Sequence, residues 1–384
     1  MIVNKNRITQ KEVARLANVS QAVVSHVLNN SAMISRIPEE TRERVTNVAR
    51  IHNYRVNQVA RQLRSGKSRI VNIICSSIYS HFVENLIPQI EAELAKRNYR
   101  CMISRLHDSS PDIIDELDSL MSFDFAGTIA LDYFDGNNFG IAGAIAENQN
   151  VVFMSRSAKK LNCNMVDQDY ASGIIEAVQH LHVNGHRRIA LAVNDDLCFP
   201  MLGRIDGYKR GLTACGLPFD AKLLWVGTQH IGNAYDGSCP DELVLEMERD
   251  IVQGMKADAV ICSNDEWAVA LVHALKSRRL RVPNDVSVVG YGDDPNLCWA
   301  CDPNLTTINH GNRIMAENLA QSLFALIDGC VCKLKEPVKS YLVIRNSTKH
   351  NFETIKTITM DKKFKSSTTK RYEGRLKKKD LILN

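Results

Sequence analysis

The opening residues, Met1-Ile-Val-Asn-Lys-Asn-Arg7, have no apolar stretch of the kind an export signal or membrane anchor needs. A cytoplasmic protein without a membrane partner is therefore expected, with its 11 cysteines reduced. Also missing are a phosphate loop, a Gly-x-Ser-x-Gly elbow and a Rossmann glycine fingerprint. Their absence argues against an enzyme, and neither catalytic residues nor a cofactor are expected. The close cysteine pairs, Cys298-Trp-Ala-Cys301 and Cys330-Val-Cys332, lack His or Cys partners at zinc spacing, so packing thiols are expected rather than a metal site. Residues 349–384 carry no sustained leucine heptad, which gives no support for a tetramerising coiled coil.

What the chain does have is segregated charge. Residues 1–68 carry 12 Lys or Arg against 4 Asp or Glu, residues 69–348 carry 25 against 35, and residues 349–384 carry 11 against 4. A basic head on an acidic body is the footprint of a phosphate-binding module attached to something that binds another ligand. Ribosome-bound and membrane-surface proteins also carry basic faces, so charge alone does not decide. The tail, with Lys377-Lys378-Lys379, reads as solvated chain, with weak nonspecific attraction to DNA as its second reading.

The segment Arg7–Asn29 packs two short helix patterns around a tight turn. Thr9 and Glu12 have capping-box spacing, so a helix is expected from about Gln10 to Ala17. Asn18 can take a left-handed turn conformation, and Ser20 can cap a second helix. On that helix Val23, Val24, Val27 and Leu28 share one face, while Gln21, Ala22, Ser25, His26 and Asn29 share the other. Small and hydrogen-bonding residues on an exposed helix face suit a major groove, which makes this a helix-turn-helix pattern. The plainer alternative is an ordinary helical hairpin. A third helix is expected from Pro38, placed at its first position, through Ile51, with Val45, Val48 and Ile51 packing on the first two. After it, Asn57 can cap about two turns that end at Ser65-Gly66, with Val59, Ala60 and Leu63 on one side and Arg61 and Arg64 placed for phosphates.

These residues resemble the lactose-repressor/galactose-repressor (LacI/GalR) family. The resemblance is carried by Val13-Ala14, Ala17, Val19-Ser20, Val24-Ser25, Val27-Leu28-Asn29, Thr41-Arg42, Asn53-Tyr54, and Asn57 with Val59-Ala60 and Gln62-Leu63, and it extends over residues 7–348. It implies that Gln21, Ala22 and His26 read bases, and that Thr9, Ser20, Ser25 and Asn29 hold phosphates or stabilise the fold. Asn57, Ala60 and Leu63 would belong to a hinge helix whose leucine wedges into the minor groove. Three departures stand out: Asn18 in place of the usual turn glycine, Val23 in place of a common threonine, and a slightly longer loop from Asn30 to Ile37.

Beyond residue 68, short apolar runs alternate with amphipathic helices. Val71–Cys75, Arg100–Ser104, Gly127–Leu131, Val151–Met154, Arg188–Val193, Val260–Cys262 and Val286–Val289 read as buried strands, with helices such as Phe82–Arg97, Ser172–Asn184 and Ile205–Ala214 between them. Alternation of this kind gives parallel sheets covered on both faces, and about 280 residues suits two lobes. The expected fold is thus α/β. It comprises a three-helix headpiece (1–56), a hinge helix and linker (57–68), a two-lobed periplasmic-binding-protein-like core (69–348) and a basic tail (349–384). By resemblance the cleft between the lobes takes a small effector, a sugar or sugar derivative. Arg204 matches the family's Arg-x-x-Gly-Tyr motif, Asn264-Asp265 its Asn-Asp pair, and Phe82 an aromatic at the cleft mouth, although a phenylalanine at a helix start is equally at home in the core. Asp293 lies in the signature Val289-Gly-Tyr-Gly-Asp293, and Leu305-Thr-Thr-Ile308 is a further match. Gly292 stands where an aspartate is frequent, and Ser155-Arg156 where Asp-Arg is frequent. Arg156 and Arg204 without those carboxylates favour an acidic ligand over a plain hexose.

Three functional classes follow. The leading one is a ligand-responsive, sequence-specific transcriptional regulator, a repressor of carbohydrate-related genes that binds a palindromic operator as a homodimer. A solute-binding receptor-like sensor without specific DNA readout is the alternative, disfavoured by the attached head. An enzyme of the cleft comes last.

Overall fold

The computed structural model describes residues 8–29, 32–55, 66, 68–75, 81–106, 113–131, 145, 150–154, 164–194, 199–227, 245–331 and 335–349. They fall into two compact units, divided between Arg69 and Ile70.

In the first unit, α1 (Gln10–Leu16) starts with the expected capping box. The Thr9 hydroxyl accepts from the Glu12 amide at 3.3 Å, and the Glu12 carboxylate accepts from the Thr9 amide at 2.6 Å. The Thr9 amide also holds the Glu12 carboxyl below its ordinary pKa, because it stabilises the charged form. Asn18 takes φ 52°, and the Ser20 hydroxyl accepts from the Val23 amide to start α2 (Gln21–Leu28). Helix α3 (Glu39–Ile51) departs from expectation in two ways. Pro38 is its extended N-cap, with ψ 143°, rather than its first helical residue. Ile51 is 69% exposed and does not pack on the other helices. Six residues beyond Val45, it has rotated about 240° from it, onto the far side. Ala49 enters the core instead, beside Val13, Ala14, Ala17, Val24, Val27 and Val45, with Val48 and Tyr54 packed against them. The Arg44 Nε–H donates to the Ala17 carbonyl at 3.0 Å and ties α3 to the end of α1.

The second unit has two lobes. The first is a parallel sheet in the order β2-β1-β3-β4, made of β1 (Ile70–Cys75), β2 (Arg100–Arg105), β3 (Gly127–Ala130) and β4 (Val151–Phe153). Against it pack Val83, Leu86, Ile90 and Leu94 of α4 (His81–Ala95) and Met315, Leu319 and Leu323 of α10 (Asn312–Ile327). Between β2 and β3 runs α5 (Ile113–Met121).

The second lobe is a sheet in the order β12-β10-β9-β8-β6-β7. Its strands are β6 (Ile189–Asn194), β7 (Leu224–Gly227), β8 (Ala259–Cys262), β9 (Ser287–Gly292), β10 (Thr306–Asn309) and β12 (Tyr341–Val343), parallel except for β12. One face is covered by Ile174, Val178 and Leu181 of α6 (Tyr170–Val183) and by Tyr208 and Leu212 of α7 (Phe199–Ala214). The other is covered by Trp267, Leu271 and Leu275 of α8 (Asp265–Ser277). Helix α7 lies unusually close to α6. A Cβ at Gly203 would sit 3.0 Å from Tyr170, one at Gly207 2.7 Å from the backbone of Ala171, and one at Gly211 2.9 Å from Val178. These glycines recur every fourth residue, so they form one stripe along the helix.

The chain passes between the lobes after Phe153, after Asn309 and again before Tyr341. A short parallel ribbon of β5 (Gln168–Asp169) and β11 (Val338–Lys339) ties two of these passages together. The side-chain amide of Gln168 ties in the third by donating to the His310 carbonyl at 2.9 Å. Strand edges and helices thus converge on the connections, where a cleft residue can be held from several directions.

Candidate DNA-reading face and effector cleft

On α2, Val24 and Val27 are buried while Gln21 and Ala22 are exposed; Ser25, His26 and Asn29 are half-buried on the flank. The rigid side of the helix is its core side, so Gln21 and Ala22 are presented by a fixed backbone. The hydroxyls of Thr9 and Ser20 are engaged as caps. The Asn29 side-chain amide donates to the Ser25 carbonyl at 2.8 Å and hydroxyl at 3.2 Å, which closes the last turn of α2. The hinge residues Asn57, Ala60 and Leu63, and Arg156 of the cleft, lie outside the described residues.

In the body, the motifs singled out from sequence meet at the carboxyl ends of neighbouring strands, where open α/β sheets bind ligands. The end of β8 leads to Asn264-Asp265, the end of β9 to Asp293, and the end of β10 to His310. The side-chain oxygen of Asn264 accepts from the Trp267 amide at 2.8 Å and caps α8. Asp265 is buried, accepting from the Thr307 hydroxyl and, at 2.8 Å, from the Asp294 amide. Burial pushes its pKa up to about 6, the Thr307 and Asp294 hydrogen bonds opposing the shift. Asp293 has φ 56°, and both its oxygens are taken, by Arg345 at 2.6 Å and the Asn309 amide at 2.7 Å. The Asp294 carboxylate caps α9 (Pro295–Ala300) and accepts from Asn85 of α4 at 3.0 Å, a hydrogen bond from one lobe to the other. The aspartates are therefore struts of the second lobe.

Arg204 is the exception. It is 6% exposed, its guanidinium lies 4.1 Å from the centroid of the Tyr291 ring, and one Nη donates to the Met201 sulfur at 3.4 Å. Its Nε finds no acceptor. Phe82 packs on the imidazole of His310 with ring centroids 4.4 Å apart, and that imidazole meets Tyr291 at 4.7 Å. Phe82, His310, Tyr291 and Arg204 thus form a continuous run of contacts from the first lobe into the second.

Sequence reasoning missed His310, Gln168, Asn85 and Arg345. His310 was within reach of it, since it stands two residues beyond the Leu305-Thr-Thr-Ile308 signature. The others act across long sequence separations and left no local mark. Cys298 and Cys301 are buried in the second lobe, where desolvation raises both thiol pKa values and keeps the sulfurs protonated. Among the described residues, no group of three or more His, Cys, Asp or Glu is placed to hold a metal ion. No helix among them is long and apolar enough to cross a membrane.

A capped helix-turn-helix head followed in the chain by a two-lobed body with its motifs at the strand ends defines a transcriptional regulator with a ligand-binding body. Two family descriptions match: "Bacterial regulatory proteins, lacI family" over residues 9–57 and "Periplasmic binding protein-like domain" over residues 178–348. The ribose operon repressor of Haemophilus influenzae is 27% identical over 300 residues, 78% of this chain and 86% of its own. The repressor CytR of Escherichia coli is 27% identical over 303 residues, 78% of this chain and 84% of its own. Among solved structures, the lac repressor dimer bound to operator and the anti-inducer ONPF superimposes with a TM-score of 0.70 at 24% identity, covering 90% of this chain and all of the other. The chain belongs to the lacI family of bacterial regulatory proteins.

Proposed function

We propose that the protein is a cytoplasmic repressor of carbohydrate-related genes that binds a palindromic operator as a homodimer and is switched by a small effector, a sugar or sugar derivative, held between its lobes. The observation that carries the DNA half is the exposed pair Gln21 and Ala22 on a helix whose opposite face is locked into the head core. Gln21 and His26 supply hydrogen bonds to base edges and Ala22 apolar contact, while Thr9, Ser20, Ser25 and Asn29 keep the helix ends in place beside the phosphates. Asn57, Ala60 and Leu63 form the hinge helix, with Leu63 as the wedge that bends the duplex. In the body, Phe82, Arg156, Arg204 and Asn264 meet the effector, and Asp265 and Asp293 hold the loops that present them. The named relatives, a ribose operon repressor and CytR, support the regulatory reading.

Selection of bound sequences from a random duplex pool at physiological salt tests the proposal. The expected product is a palindrome with a flexible central step. Recovery of only salt-sensitive, sequence-random DNA, with and without pooled sugars, would show that the head does not read bases.

A further inference from the structure

Around Tyr291 lie several buried polar atoms without partners, among them the Arg204 Nε, the Gln168 Oε1 and the Tyr291 hydroxyl. Gln168 and His310 are both buried, and the Gln168 amide nitrogen donates to the His310 carbonyl at 2.9 Å and approaches its ring Nδ1 at 3.0 Å. An amide turned the other way would set its oxygen against a carbonyl oxygen, so the network assigns the nitrogen to this position. The ring Nδ1 must then accept, which leaves the proton on Nε2. Burial, and next the Arg204 charge, hold the His310 pKa well below its usual value, so the ring is neutral at physiological pH. Its Nε2–H is accordingly a fixed donor, and among the described residues it has no hydrogen-bond partner.

Arg204 packs on the same tyrosine ring, buried, with Nε unaccepted and the Met201 sulfur as a weak partner. A buried cation is costly unless paired. The carboxylates nearest in the sequence motifs do not serve, because Asp265 is held by Thr307 and the Asp294 amide, and Asp293 by Arg345 and Asn309. The Gln168 Oε1 and the Tyr291 hydroxyl are unpartnered as well and suit a hydroxyl of the ligand, whereas Arg204 and the His310 Nε2–H only donate, and with the positive charge they match a group that only accepts.

We infer that Arg204 and the His310 Nε2–H form an oxyanion subsite, so the effector carries a carboxylate or a phosphate, and that His310 sets this specificity with Gln168 as its positioning residue. The inference rests on the effector reading of the cleft given above.

Titration calorimetry on the full chain tests it with matched probes: glucose against gluconate and glucose 6-phosphate, ribose against ribose 5-phosphate, and adenosine against adenosine monophosphate. At least one anionic probe is expected to bind ten or more times tighter than its neutral counterpart, and gluconate against the phosphates separates carboxylate from phosphate. Arg204→Gln and His310→Leu should each abolish that preference, whereas His310→Gln, which keeps an N–H donor, should retain most of it. The inference is overturned if no anionic probe outbinds its neutral partner tenfold, whether neutral probes win or nothing binds. It is equally overturned if His310→Leu keeps the preference in full. Operator selection on the same samples separates the two readings: specific DNA binding without anion preference removes this inference alone, and loss of specific DNA binding removes the regulator proposal.

Discussion

Asn18 sits in the left-handed region at φ 52°, between two helices that both depend on its turn. A β-branched side chain there is strained by about 1–2 kcal/mol, so Asn18→Val should lower the stability of the head by that amount in urea unfolding, with Asn18→Gly close to wild type. This position was legible in the sequence because turn chemistry is local: one residue type, one backbone conformation. The ionisation of Asp265 was not legible, since it depends on burial beside Thr307 and Asp294, which are distant in the chain. Its folded pKa of about 6 lies above the unfolded value of about 3.9, so the native state binds this proton more tightly. The stability it contributes is fully present below about pH 4 and is lost as pH rises through 6, a change of roughly 3 kcal/mol. Asp265→Asn should remove that slope: relative to the variant, wild type loses stability between pH 4 and 7. Parallel pH–stability curves for the two proteins would refute the assignment.

At the scale of elements, helices and strands were readable wherever capping and periodicity are local. The head helices and β1 to β4 appear within a residue or two of expectation, and the error at Ile51 came from assigning a core face without following the helical rotation. What no local pattern revealed is that α10 packs in the first lobe although β10 before it belongs to the second. Nor did the pattern show that the glycine of the Arg204-Ile-Asp-Gly207-Tyr208 motif serves helix packing. Gly207 faces the backbone of Ala171, which cannot move as a side-chain tip can. Gly207→Ala should therefore destabilise by about 1–3 kcal/mol despite better helix propensity, whereas Gly254→Ala, whose Cβ would stand 3.6 Å from the Arg249 carbonyl, should stay near wild type. Equal urea midpoints for the two variants would contradict the close approach of α6 and α7. For the proposed hinge helix, Leu63→Ala should weaken operator binding by a few kcal/mol at most, the scale of lost wedge and bend contacts, and leave effector affinity unchanged. Undiminished operator binding would rule out the wedge.

At the scale of the whole molecule, the proposed effector residues lie beside the connections between the lobes. The crossing chain segments are tied through Gln168, His310 and the ribbon of β5 with β11, and Asn85 reaches from the first lobe to Asp294 in the second. A ligand held by Arg204 and His310, as proposed, would touch residues that join the lobes, and by linkage it would change DNA affinity only to the extent that it prefers one arrangement of the lobes over another. The sequence disclosed parts of this arrangement, the strand-end motifs and Arg204. It did not disclose the contacts within the body, because those join residues far apart in the chain, such as Gln168 with His310 and Asn85 with Asp294. The most direct test is to measure affinity for the selected palindrome, at fixed salt, with and without a saturating concentration of the probe that binds the cleft. The account predicts a change of about 5–150-fold, the range of ordinary allosteric coupling, abolished by Arg204→Gln. Operator affinity that stays the same while the ligand is demonstrably bound would contradict it.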